Sequence, residues 1–265
     1  LVHAHGELLI RIAGMSSQIA TNSSAQLYLD RGELYREDRN WEAAEADYTR
    51  AAELDPRLAA VDFCRANLLA DLGQLGAARE LFDKVILRFP RDGKALIARA
   101  RILVRMEQRK LALADFEHGL ELIAEPGPEC FLEWAQALSA EGQVSEALRS
   151  LDRGIAKFGP INALQVYAMD LELGRKNTDA ALARLETIIE QAPRKELWLA
   201  RRGDIQLSAG RPVEARQSYN AAVAAIKLLP RRLQQNTPMV NLESRISSVL
   251  DEMGTVRQTA KVVTN

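Results

Sequence analysis

The sequence predicts an all-α fold, an α-solenoid of antiparallel helix pairs, on three observations. Ala, Leu, Arg and Glu abound, only 5% of residues are aromatic, and no Val/Ile/Thr-rich run alternates with polar residues. Helix is therefore favoured throughout, and sheet has no carrier. Six alanines, Ala44, Ala78, Ala112, Ala147, Ala181 and Ala215, recur at intervals of 34, 34, 35, 34 and 34, a period that belongs to stacked repeats. Prolines punctuate the same period. Pro56, Pro90 and Pro193 each stand twelve residues after an alanine, and Pro126, Pro160 and Pro230 lie near the matching point elsewhere.

Each column has a mechanical meaning. Four residues after the alanines come Tyr48, Phe82, Phe116, Leu151, Leu185 and Tyr219. Twelve residues before them stand Gly32, Ala66, Ala100, Ala135, Met169 and Gly203, five of them small. The small residue lets the second helix of a pair approach the first, and the alanine does the same from the other side. The bulky residue one turn later fills the space between repeats. Proline ends the second helix, because it lacks an N–H and clashes with the preceding turn. Short turns join the two helices at Glu37-Asp38-Arg39-Asn40, Asp71-Leu72-Gly73-Gln74, Glu141-Gly142-Gln143 and Ala209-Gly210-Arg211. Glycine there accepts the left-handed conformation that closes a helix. Six units follow, at about 25–58, 59–92, 93–127, 128–161, 162–195 and 196–229.

A solenoid needs closing at both ends, since each repeat buries its face only against neighbours. Leu8, Leu9, Ile12, Met15 and Ile19 form one stripe of a helix over about 6–20, within an N-terminal segment 1–24. Residues 230–265 are expected to hold a linker, a capping helix and a tail. Thr237-Pro238 reads as an N-cap with proline in the first turn. Leu242, Ile246, Val249, Leu250 and Met253 follow at helical spacing, Gly254 is expected to end the helix, and 255–265 is expected to be a loose tail. Val2-His3-Ala4 matches the small-residue pattern of a signal-peptide cleavage site. That reading makes the chain periplasmic or secreted; otherwise it is cytoplasmic.

Composition excludes several classes of function. A formal net charge of −1 gives no long-range pull toward nucleic acid or an anionic membrane. No apolar stretch is long enough to span a bilayer. Cys64 and Cys130 fall on different repeats, too far apart for a disulfide, and are expected as free thiols. Neither they nor His3, His5 and His118 have metal-ligand spacing, so no metal is expected. No phosphate loop, H-E-x-x-H, C-x-x-C or G-x-S-x-G occurs, so neither a cofactor nor catalysis is expected.

The repeat columns resemble those of the tetratricopeptide repeat. Residues 25–57 carry its pattern most fully, in Tyr28, Gly32, Tyr35, Ala44, Tyr48, Ala51 and Pro56. The unit at 93–124 keeps Ala100, Leu103, Ala112 and Phe116 without the proline in place; at 162–193 Met169 and Glu172 occupy the small and large apolar columns. The resemblance, over roughly 25–229, implies a right-handed superhelix in which the first helix of each pair lines a concave groove. It implies a non-catalytic scaffold that binds a protein or peptide there. Two lines of candidate contacts recur along it. One is apolar: Leu29, Phe63, Ile97, Leu132 and Val166. The other is polar: Glu33, Asn67, Arg101, Gln136 and Asp170. Phe63 and Arg101 are the residue types most suited to anchor a ligand.

The carboxylate clamp of chaperone-tail-binding relatives is absent. Leu29 and Glu33 stand where its first Lys and Asn belong, Cys64 replaces the second Asn, and Ala98 replaces the Arg, although Lys94 survives. No heat-shock partner is expected. Arg31, Arg65, Arg99 and Arg202 form a further column, with Asp47 and Asp115 sixteen residues after Arg31 and Arg99. Salt bridges within a repeat are expected there, and Arg65, lacking an aspartate, is expected to be freer for an anionic partner. A self-associating assembly protein is the alternative reading, as a monomer or weak homo-oligomer. A single-stranded RNA binder of related helical repeats is the remote one, and both the columns and the charge oppose it.

Overall fold

The structure, a computed structural model, describes residues 2–263, with side chains described over 5–254. Among the described residues there is no strand. The chain folds as two compact units, Leu1–Gln143 and Val144–Asn265.

The first unit opens with α1 (Val2–Thr21), then α2 (Ala25–Glu37) paired with α3 (Trp41–Leu54), α4 (Ala60–Asp71) with α5 (Leu75–Arg88), and α6 (Gly93–Arg105) with α7 (Arg109–Leu122). It closes with α8 (Pro128–Ala140), packed on α7. The second unit starts with α9 (Val144–Phe158), packed on α10 (Asn162–Gly174). Then α10 pairs with α11 (Thr178–Gln191) and α12 (Glu196–Ser208) with α13 (Pro212–Lys227). A short α14 (Arg231–Gln234) leads to α15 (Thr237–Val263), which packs on α13.

The close approach inside each pair is visible in the buried columns. All six period-defining alanines are fully buried, and so are Tyr48, Phe82, Leu151 and Leu185. A Cβ on Gly32 would lie 2.5 Å from the Tyr48 ring, and one on Gly203 2.6 Å from the Tyr219 ring. Glycine is required wherever tyrosine fills the pair. Ala66 joins Phe82 in the core of the second pair, and Met169 joins Leu185 in that of the fifth. Both tyrosine hydroxyls reach a carboxylate one residue beyond the glycine: Tyr48 donates to Glu33, and Tyr219 donates to Asp204 at 2.8 Å.

The turns share one backbone device. Arg39, Gly73, Glu107, Gly142, Lys176 and Gly210 all have φ between 60° and 76°. At each turn the next residue donates its N–H to a carbonyl five residues back, as Asn40 does to Tyr35 and Asn177 to Glu172. These bonds satisfy carbonyls that a helix end leaves orphaned. Glycine marks only half of the turns in sequence; in the other three the hydrogen bonds hold an ordinary residue in the left-handed region.

The arginine column is a set of cross-ties. Arg31 meets Asp47 through two bonds of 2.7 Å, and Arg99 meets Asp115 through bonds of 2.7 and 2.8 Å. Each also reaches backwards along the array, Arg31 to Ser16 and Arg99 to Asp83. The expectation that Arg65 is freer is overturned. It bonds Glu45 at 2.9 Å and Thr49 at 2.8 Å, on the second helix of the preceding pair. Arg202 follows the same scheme with Ser218 and Glu186.

Both ends differ in detail from the sequence reading. On α1, Ile12 and Ile19 are buried, but Leu9 is 47% exposed. His5 meets Asp38 at 2.9 Å, while the side chains of Val2, His3 and Ala4 lie outside the described residues. The cap of α15 is Asn236, not Thr237, because its side-chain oxygen accepts from the Met239 N–H at 2.9 Å. Leu242 and Ile246 are buried against Tyr219, Ala222 and Ile226, with Val249, Leu250 and Met253 packed beside them. Gly254 does not end the helix, which runs on to Val263, so the tail reading fails over that stretch. Gly254 keeps a negative φ, and a lone helical glycine costs only about 1 kcal/mol against alanine. Side chains 255–263 and all of 264–265 lie outside the described residues. Cys64 and Cys130 are buried free thiols.

Candidate functional site

The period puts residues 34 apart at equivalent positions on successive first helices. In the first unit this alignment builds a trough of about 520 Å³. Glu33 and Arg36 come from α2, Phe63 and Asn67 from α4, and Lys94, Ile97 and Arg101 from α6. The loop from Ile123 to Gly127 and the start of α8 complete it. A second cavity, of about 760 Å³, opens beside it against α4, α5 and the α5–α6 loop.

The trough has a fixed acidic corner. Arg36 donates to Glu33 at 3.0 Å and to Asp71 at 2.5 Å, and Tyr48 donates to Glu33. Burial pushes the Glu33 carboxyl up, but the bonds from Arg36 and Tyr48 outweigh it and hold it below its ordinary value. The Cys64 thiol is pushed well up, by burial first and then by the Glu33 charge. Burial raises the Cys130 thiol too, against the opposing pull of Arg101.

The rest of the trough is available to a ligand. Arg101 bonds Glu133 at 2.7 Å, yet its side chain is 44% exposed, so the pair is solvent-screened and exchangeable. Among the described residues the Asn67 amide makes no hydrogen bond and the Lys94 ammonium no ion pair. Phe63 is half-buried, its ring and that of Phe82 meeting near perpendicular with centroids 5.6 Å apart. The arrangement offers apolar contact, an open amide and charges of both signs, Arg36, Lys94 and Arg101 beside Glu33, Glu125 and Glu129, which together suit a peptide's side chains and backbone. Among the described residues no group of His, Cys, Asp and Glu is placed to hold a metal ion. No helix there is long and apolar enough to cross a membrane.

Of the ten sequence candidates, Glu33, Phe63, Asn67, Ile97 and Arg101 share this trough. Leu29 does not line it. It is 4% exposed and packs in the core with Tyr48, Ala51 and Val61. Leu132 and Gln136 lie further along α8, outside the trough lining. In the second unit, Val166 packs against the Met169 and Leu185 cluster, and Asp170 pairs with Arg201 at 3.6 Å. The trough also uses the Ile123–Gly127 loop, which sequence reasoning did not assign. Two signals pointed to it: the single 35-residue interval and the displaced Pro126.

The sequence profile of the tetratricopeptide repeat matches residues 29–86, 63–117 and 168–228, together more than half of the chain. Among curated proteins, none matches the sequence at a significant level. Solved structures share the fold. YrrB, described as a TPR protein with an unusual peptide-binding site, is 19% identical, with a TM-score of 0.56, covering 76% of this chain and 97% of that one. The C-terminal part of a TPR repeat-containing protein from Cytophaga hutchinsonii is 15% identical, with a TM-score of 0.65 and coverages of 89% and 94%. PilF of Pseudomonas aeruginosa is 14% identical, with a TM-score of 0.59 and coverages of 84% and 96%. At such identities the likeness is one of fold.

Proposed function

The chain belongs to the tetratricopeptide repeat family, and from that premise we propose that it is a non-catalytic scaffold whose first-unit trough holds a peptide or a segment of a partner protein. One observation carries this reading: Glu33, Phe63, Asn67, Ile97 and Arg101, drawn from three successive first helices, line a single open trough. Among the described residues the Asn67 amide has no protein hydrogen-bond partner, so a ligand backbone displaces only water to reach it. Phe63 supplies apolar contact and Arg101 a charge, the residue types that dominate binding energy at interfaces. A fold relative with a peptide-binding site, YrrB, supports the same use of the fold.

Peptide-display selection on the immobilised chain tests the reading. Selected peptides are expected to bind the native chain and to lose at least about tenfold in affinity with Phe63→Ala and Arg101→Ala combined, a loss of about 1.4 kcal/mol. Circular dichroism and a thermal melt confirm that the variant keeps its helices. Unchanged binding by the folded variant contradicts the trough as the site.

A further inference from the structure

The second cavity shares only Phe63 and Lys94 with the trough, and its chemistry is different. Its walls are methyl groups and rings, from Ala59, Ala60, Val85, Phe89 and Pro90. Three cations, Arg88, Arg91 and Lys94, also line it and are exposed. One carboxylate, Asp92, lies among them, and it is already engaged. It caps α6 by accepting from the backbone N–H groups of Lys94 at 3.0 Å and Ala95 at 3.1 Å. Among the described residues, neither the Arg91 guanidinium nor the Lys94 ammonium meets a carboxylate. A chain of formal net charge −1 therefore concentrates uncompensated positive charge around one apolar hollow.

We propose that this cavity is the anchor site for an acidic peptide segment: one aromatic or long aliphatic side chain enters the hollow, and flanking aspartates or glutamates meet Arg88, Arg91 and Lys94. The inference deepens the scaffold reading by naming the partner's chemistry. Apolar burial supplies the affinity of such a contact, while the cations set orientation and speed of encounter. A peptide leaving the hollow past Phe63 and Lys94 enters the trough, where Asn67 and Arg101 offer bonds to its backbone and side chains.

Two other occupants fit the geometry less well. Single-stranded RNA binds by stacking bases on open aromatic faces. Here Arg88 covers the Phe89 ring at 5.2 Å. A fatty acid would match the hollow, but its acyl chain has no use for the hydrogen-bonding groups that continue into the trough.

Fluorescence anisotropy on the full chain tests the proposal. The probe is a fluorescein-labelled dodecapeptide with one phenylalanine among aspartates and glutamates. Comparators replace the phenylalanine by alanine, or the acids by lysines; labelled oligouridylate and oleate competition complete the set. The acidic phenylalanine peptide is expected to bind at least about tenfold more tightly than either peptide comparator, and more weakly as salt rises. Arg88→Glu combined with Arg91→Glu, both at exposed positions, is expected to weaken it at least about tenfold. Ala60→Trp, filling the hollow without changing charge, is expected to do the same. Equal binding of the three peptides, binding of none, or tighter capture of oligouridylate or oleate overturns the proposal. If Arg101→Ala removes binding and the charge reversal does not, the trough stands and this anchor site falls. The opposite pattern keeps the anchor site and removes the trough.

Discussion

In the first helix pair Gly32 lies under the buried ring of Tyr48; in the fifth, the same two positions are Met169 and Leu185. The first pair puts the bulk on the second helix and ties it to Glu33 through the tyrosine hydroxyl. The fifth shares the bulk between both helices and has no hydroxyl to place. Both pairs are closed by the same left-handed turn, at Arg39 and at Lys176. What persists from repeat to repeat is the left-handed turn, while the combined size of the two side chains grows in the fifth pair, where Met169 stands with Leu185. The identity of either residue alone does not persist.

The comparison can be broken most directly at its large end. Met169→Gly removes a buried side chain and adds a helical glycine, so urea unfolding followed by circular dichroism is expected to show a loss of about 4 kcal/mol. Gly32→Ala drives a methyl into the Tyr48 ring and is expected to cost about 2 kcal/mol. Adding Tyr48→Leu takes away the ring that the methyl strikes. The double variant is expected to be more stable than the sum of its parts by about 1 kcal/mol; simple additivity would contradict a clash between the added methyl and the Tyr48 ring.

The turns sharpen the comparison at a smaller scale. Arg39, Glu107 and Lys176 hold left-handed conformations that cost an ordinary residue about 1–2 kcal/mol. Each, changed to glycine, is expected to raise the unfolding midpoint, while Gly73→Ala lowers it. The smallest effect is one of pH. Burial and the Glu33 carboxylate hold the Tyr48 hydroxyl protonated well above its ordinary value. Its contribution is therefore complete below the unfolded tyrosine value of about 10 and is lost as pH rises beyond it. Tyr48→Phe is expected to flatten the alkaline decline in stability. The Glu33 carboxyl works in the opposite direction: its contribution is present above the ordinary carboxylate range and is lost as pH falls through its lowered value.

The frame of the fold was legible because its signals repeat. Alanine, the small column and the bulky column mark helix packing whatever the surface residues do. The turn at Arg39 was read from its polar run Glu37-Asp38-Arg39-Asn40, but those at Glu107 and Lys176 were not assigned, and only their alignment with Gly73, Gly142 and Gly210 exposes them. Arg65 was misread because a partner was sought ahead of it in the same pair. The structure supplies Glu45 and Thr49 from the pair behind. Leu29 was assigned to the groove by phase, but its side chain is buried in one core with Ala44, Tyr48 and Ala51 of α3 and Val61 and Leu68 of α4. The end of α15 escaped because glycine was taken as a stop, where a stop needs a positive φ that Gly254 lacks.

Methyl-resolved NMR with a selected peptide tests the binding account most directly. Titration is expected to shift the methyls of Val85, Ile97 and Ile123 in the first unit and to leave those of Ile188 and Ile226 in the second unchanged. Saturable binding that leaves the first three where they were, while methyls elsewhere move, would contradict it.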